Sequence, residues 1–179
     1  MLEKAVQKVS GGNDRRDGRS MRAMTSDARI ALDRTDWAIL DVLQRDGRMS
    51  FLAVGRLVNL SGPAVRERVR RLEQAGLIRG YVAQVDSAVA GYPITAFIRM
   101  PCTGVNCIRN AYRPELFPEI IEIHRITGGD CSILKVIATS MHHLEALVDR
   151  LAGYGRPTTS LVLSTIADGR PIQPSLTKG

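Results

Sequence analysis

The chain has 179 residues, 44% hydrophobic but only 4% aromatic, with 25 Lys/Arg against 18 Asp/Glu and a formal charge of +7. That length holds one or two domains with an aliphatic core, and the basic balance favours a polyanionic partner. With no apolar run of about twenty residues and no signal-peptide core, the chain is expected to be soluble and cytoplasmic, with no membrane partner.

Residues 1–31 are rich in Gly, Ser, Arg and Asp and show little apolar periodicity, which predicts a flexible basic N-terminal extension. Lys4–Val9 is a short helix at best, and Met21 and Met24 leave open a start of translation inside this extension. Arg15, Arg16, Arg19 and Arg22 are candidates for phosphate contacts, set against the plainer reading of a solvated, dispensable extension.

Residues 32–85 carry the strongest pattern. Thr35–Gln44 is amphipathic through Ile39, Leu40 and Leu43, and Phe51–Val58 is a short helix opened by Ser50. Only Asn59 and Leu60 precede the next cap, Ser61; asparagine tolerates the left-handed backbone that so tight a bend needs. The third helix has Pro63 in its first turn, where a missing N–H costs little, and Gly76 at its end. Val65, Val69 and Leu72 form one apolar stripe, and at about 100° per residue Arg66 and Arg70 point away from it. Arg71 falls on the far flank, and Arg68 falls beside the stripe, where a structural role is expected. Three helices with such a bend make a helix-turn-helix unit, whose final helix enters the major groove of DNA. Ile78–Val85 then reads as a strand or wing, and residues 86–93 (DSAVAGYP) as a hinge.

From Ile94 the period changes repeatedly. Ile94–Cys102 alternates as a strand, with Ile94, Ala96, Ile98 and Met100 on one side. Asn106–Arg113 is a short helix, Glu119–Thr127 is extended, Thr127–Cys131 is a turn, and Ser132–Thr139 is a strand apolar on both faces. Ser140 caps a helix with Met141, Leu144, Leu147, Val148 and Leu151 on one face. After the Tyr154–Thr158 loop, Thr159–Ala167 alternates as a last strand, and residues 168–179 read as a fraying tail. The order β-α-β-β-α-β predicts a ferredoxin-like layer of helices on one antiparallel sheet over residues 94–167, so the class is α+β. Such a sheet has a second face to hide, which predicts a dimer through this domain and, with it, paired recognition helices. Residues 1–85 hold six of the seven excess positive charges, so the nucleic-acid partner belongs to the front half.

The segments LDRTDWAILDVLQRDGRMS, LSGPAVRERVRRLEQAGLIRGY, ITGGDCSILKV and YGRPTTSLVLST, with Gly91 between them, resemble the leucine-responsive/AsnC family of bacterial transcription regulators. The resemblance runs from about Leu32 to Ala167. It implies a winged helix-turn-helix joined to a ferredoxin-like effector domain, homodimers that assemble into tetramers or octamers, and an amino-acid effector bound in that domain. The chain departs from the family pattern in four places. Ala53 and Asn59 stand where an acidic residue and Gly are commoner. Gly55 stands where Ala is usual, and glycine costs about 1 kcal/mol in a helix interior. In the effector turn the acid stands at Asp130, one position before Cys131, where many members carry it.

For DNA, Arg66 and Arg70 are the base-edge candidates, because arginine grips guanine O6 and N7 bidentately. Ser61, Gly62 and Pro63 form a helix N-terminus suited to a phosphate, and Arg48 and Arg71 are candidates for phosphate contacts that position without specifying. For the effector, the candidates are Thr127, Gly128, Gly129, Asp130 and Cys131, with Tyr154, Gly155, Thr158 and Thr159 facing them. Asp130 would pair an α-ammonium while turn N–H groups hold a carboxylate; equally, the glycines simply make a tight turn that Asp130 caps.

No metal or cofactor is expected. The three cysteines, Cys102, Cys107 and Cys131, lack disulfide-framework or zinc spacing and read as small buried thiols, and His124, His142 and His143 form no ligand pattern. An enzyme built on Asp130, His124 and Ser132 lacks a nucleophile–base pairing or cofactor fingerprint. A binder of RNA would need interleaved aromatic residues that the basic helix lacks.

Overall fold

The structure is a computed structural model that describes residues 30–101 and 107–174. The expectations for the N-terminal extension, Cys102, Asn106 and the last five residues fall outside that range. The described residues form two compact units, residues 30–81 with 171–174, and residues 82–101 with 107–170.

The first unit is three helices: α1 (Arg34–Arg45), α2 (Phe51–Val58) and α3 (Gly62–Gln74). Each is started by a side-chain cap. Ser50 and Ser61 accept hydrogen bonds from Ala53 N–H and Ala64 N–H, and Asp33 and Asp36 complete a reciprocal capping box at α1. Ile39, Leu43, Val54, Val65 and Val69 close the core, with Met49, Phe51 and Ile78 packed against it. Asn59 takes the left-handed conformation at φ 56° that the bend between α2 and α3 requires, and Gly76 (φ 70°) ends α3.

Gly55 has a structural reason that the helix-propensity argument lacks. It is buried, and a Cβ there would drive into the Leu60 carbonyl oxygen, so the missing side chain lets the chain leaving α2 fold back against it. What glycine loses in helix propensity, the close approach at the bend recovers.

The second unit is β1 (Ile94–Met100), α4 (Ile108–Ala111), β2 (Ile120–Arg125), β3 (Ser132–Ala138), α5 (Met141–Ala152) and β4 (Thr158–Leu161). The strands pair antiparallel in the order β2-β3-β1-β4, the ferredoxin-like arrangement expected from the sequence. Ala96, Ile98 and Met100 on β1 and Leu134, Val136 and Ala138 on β3 meet Ile108, Leu144, Leu147 and Leu151 in the core. The opposite face carries Phe97, Ile133 and Ile137, with Lys135 bonded to Glu122.

Three expectations need correction. Residues 78–85 form no strand or wing; a strand needs a ladder partner, none lies beside this segment among the described residues, and Val82 and Val85 stay exposed. The last strand ends at Leu161 rather than Ala167. Leu161 pairs with Ala96 and Val162 N–H reaches Thr95, one residue from the start of β1 at Ile94. Beyond it, Leu163 and Ile166 are almost fully exposed. The C-terminal tail does not simply fray, because the Gln44 carboxamide both donates to Ile172 O (3.0 Å) and accepts from Ile172 N–H (2.7 Å), pinning it to the helical unit.

Candidate nucleic-acid interface and effector turn

The arginines of α3 divide into two pairs. Arg68 and Arg71 turn toward α1, where Asp36 is fully buried. Arg68 donates to Asp36 (2.8 Å) and to Asp33 (2.6 Å), and Arg71 donates to the other oxygen of Asp36. The guanidinium of Arg68 holds the Asp33 carboxyl below its usual range, with help from Asp36 N–H. Asp36 also accepts from the Asp33 N–H, so both its oxygens are satisfied. This tie engages Arg71, whose side chain stays 48% exposed. The sequence reading did not single out Asp33 and Asp36. The signal was present in an Asp-x-x-Asp capping pattern facing two arginines, but only the packing of α3 across α1 joins them.

Arg66 and Arg70 remain on the outer face, both exposed. The Arg66 guanidinium lies over the Phe51 ring, 5.9 Å from its centroid, a cation–π arrangement that holds it beside the start of α2. Arg70 forks onto Glu67, with Nε to Oε2 at 3.2 Å and a terminal nitrogen to Oε1 at 2.9 Å. That fork holds the Glu67 carboxyl below its usual range. The N-termini of α2 and α3 lie together. Ser50, Phe51 and Leu52 share one open depression with Gly62, Pro63 and Arg66, and a Cβ on Gly62 would touch Leu52 at 3.6 Å. Ser61 spends its hydroxyl as the α3 cap. Arg48 is exposed just before α2, its N–H bonded to Asp46. Of the expected DNA contacts, Gly62, Pro63 and Arg66 line this depression, Ser61 caps the same helix, and Arg70 lies one turn beyond Arg66 on α3.

In the sheet unit the two expected loops converge on the end of β1. Cys131 N–H bonds Met100 O at 3.0 Å, and Gly155 fits so closely that a Cβ would come within 2.9 Å of Pro101 O. The strand register sets Thr158 opposite Arg99 and Thr159 opposite Ile98. Asp130 Oδ2 lies 3.8 Å from Arg99 Nε, so a cation that the sequence reading missed stands beside the turn. Gly128 takes φ 111°, and space is open where a Cβ on Gly128 or Gly129 would be. Thr127, Gly128 and Gly129 are exposed. Tyr154 departs from the group: its ring packs edge-on against Phe117 at 5.8 Å and belongs to the core. The Cys131 and Cys107 sulfurs are 3.7 Å apart. Among the described residues, His, Cys, Asp and Glu form no cluster that could hold a metal ion, and no helix is long and apolar enough to cross a membrane.

Residues 32–73 match the AsnC-type helix-turn-helix domain, and residues 95–172 match the Lrp/AsnC ligand binding domain. The chain is 41% identical to an uncharacterized HTH-type transcriptional regulator, YezC, of Bacillus subtilis (strain 168), over 75% of this chain and 95% of that protein. It resembles the structure of Bacillus subtilis LrpC with a TM-score of 0.72 and 31% identity, covering 77% of this chain and 99% of LrpC. It is also similar to a transcriptional regulator of Neisseria meningitidis solved as a complex with L-methionine. That similarity has a TM-score of 0.72 and 28% identity, and covers 79% of this chain and 96% of the other.

Proposed function

The chain belongs to the Lrp/AsnC family of transcriptional regulators, a family that is not enzymatic, and from that premise we propose how it reads DNA and senses its effector. Arg66 and Arg70 contact base edges in the major groove. Arg48 and the N–H groups at the start of α3 hold phosphates. The observation that carries this is the division of the arginines: Arg68 and Arg71 reach back to the buried Asp36, while Arg66 and Arg70 lie on the outer face of a capped helix.

The effector is an amino acid taken at the turn Thr127–Cys131 and the facing residues Gly155, Thr158 and Thr159. Asp130 pairs the α-ammonium, and the turn N–H groups, with Arg99 at their side, hold the carboxylate. The methionine complex of the Neisseria meningitidis relative supports an amino acid in this role. The open sheet face with Phe97, Ile133 and Ile137 supports a dimer through this unit, from which tetramers or octamers assemble in the cytoplasm.

Fluorescence anisotropy on a duplex from upstream of the gene, at several salt concentrations and with or without an amino-acid pool, tests the proposal. The expected result is tight, salt-steep binding that the pool shifts. Arg66→Ala should weaken the specific duplex by about 1–3 kcal/mol and change base preference, while Arg48→Ala weakens every duplex alike. Equal losses on specific and random DNA for Arg66→Ala would remove its base-edge role. Asp130→Ala should abolish the amino-acid shift; an unchanged shift would move the effector elsewhere.

A further inference from the structure

Resting on the reading of α3 as the helix that enters the groove, we infer that Glu67 sets its sequence specificity by gating Arg70. Arg70 then adds to binding only where DNA offers a guanine together with a cytosine amino group.

The inference starts from the Glu67–Arg70 fork. Arg70 uses Nε and a terminal nitrogen on the two oxygens of Glu67 at 3.2 and 2.9 Å. A two-pronged grip of this kind is also what arginine uses on guanine O6 and N7. In the free protein the recognition edge of Arg70 is therefore occupied by a carboxylate of the same helix. Both side chains are exposed, 60% for Arg70 and 68% for Glu67, so no packing prevents the fork from opening.

Opening the fork leaves Glu67 needing a new donor. A phosphate has none to give, and its charge repels the carboxylate. Among bases in the major groove, cytosine N4–H is the donor suited to Glu. Residues three apart on a helix are separated by about 4.5 Å of rise, close to one base step, so guanine and cytosine come from the same or the adjoining pair.

Arg66 is the contrast within the same helix. Its guanidinium rests on the face of Phe51, an apolar support, and it makes no salt bridge among the described residues. Its N–H edge is open to any duplex. Arg66 thus supplies a grip that is always available, and Arg70 one that is conditional. On random DNA, Glu67 keeps Arg70 neutralised and also keeps phosphates at a distance, which lowers the non-specific background against which the target must compete.

The test selects duplexes from a random pool with the full-length chain, then measures affinity and salt dependence for the selected and random duplexes. The wild type should select a G·C pair at one position of each half-site. Glu67→Ala should relax the preference there by about 5- to 150-fold, the range of one bidentate base contact. On random DNA the same variant should bind more tightly, with the slope of log affinity against log salt steeper by about 0.9, the value of one added phosphate contact. In an Arg70→Ala background, Glu67→Ala should no longer steepen the salt slope by the value of one phosphate contact, because no arginine is released. Glu67 is exposed, and equal thermal melts for wild type and variant will confirm that folding is not the cause. If Glu67→Ala selects the same sequences with the same salt slope, Glu67 is only a surface partner of Arg70, and the gating idea fails while DNA reading by α3 stands. A wild type that prefers no duplex over random DNA would overturn both.

Discussion

Among the described residues each unit buries one carboxylate, Asp36 against two arginines and Glu119 against Arg150 and the His143 ring, and the two are finished differently. Asp36 in the helical unit is wholly buried, and each of its oxygens has a partner: Arg68 on one, Arg71 and the Asp33 N–H on the other. Glu119 in the sheet unit is 6% exposed. It receives His143 (3.0 Å) and Arg150 on the same oxygen, and its Oε2 is buried without a partner among the described residues. The first carboxylate crosses from α1 to α3 and holds the recognition helix in place. The second ties the residue before β2 to α5, in a unit whose large aliphatic core already fixes both elements. A small helical core needs a complete polar tie, and a larger core tolerates an incomplete one.

Removing the complete tie is the strongest way to break this comparison. Asp36→Ala deletes half of the capping box and the anchor of two arginines, and should destabilise the helical unit by on the order of 3 kcal/mol. Trp37 is the single tryptophan of the chain and lies in α1, so its fluorescence follows this unit in urea. The expected result is an early Trp37 transition with the sheet unit melting where it did before. A common shift of both transitions would mean that the two units do not unfold separately.

Gly55→Ala sharpens the same point through shape. The new methyl group gains about 1 kcal/mol of helix propensity. It also presses on the Leu60 carbonyl at the bend that aims α3, and overpacking of this kind costs about 1–3 kcal/mol. The Trp37 transition should therefore move earlier by about 1 kcal/mol, the reverse of what propensity alone gives. A later transition would show that the bend relaxes without strain.

Periodicity and capping made the helices and most of the strands legible in advance. Ser50, Ser61, Asn59 and Gly76 each do locally what their chemistry favours, and the apolar stripe of Val65, Val69 and Leu72 is the buried one. Failures occurred where structure depends on a partner. Residues 78–85 and 162–167 have strand-like composition, but no ladder partner lies beside them among the described residues, beyond the bond from Val162 N–H to Thr95. At the candidate sites, residue types were legible and their pairings were not. Asp36 with Arg68 and Arg71, Arg99 with Asp130, and Gly155 against Pro101 are joined by tertiary packing across 31 to 54 residues of chain, beyond the reach of helical or strand spacing.

Acid has a smaller effect, carried in the sheet unit by Glu119. Burial pushes the Glu119 carboxyl up, but its own backbone N–H, His143 and Arg150 outweigh that and hold it below the ordinary glutamate range. A carboxyl whose folded pKa is depressed gives stability that is present above its unfolded pKa and is lost as pH falls through the folded one. The sheet unit should therefore keep this contribution at neutral pH and lose it below about pH 4.3, the unperturbed value for glutamate. Urea melts by circular dichroism at stepped pH should show that loss, and Glu119→Gln, which has no carboxyl to protonate, should flatten it. In the helical unit Asp33 is depressed mainly by Arg68, but it is exposed, and solvent screens its contribution. The Trp37 transition should then be less sensitive to acid than the sheet transition. If it proves the more sensitive of the two, the contacts of Glu119 with His143 and Arg150 contribute little to the sheet unit.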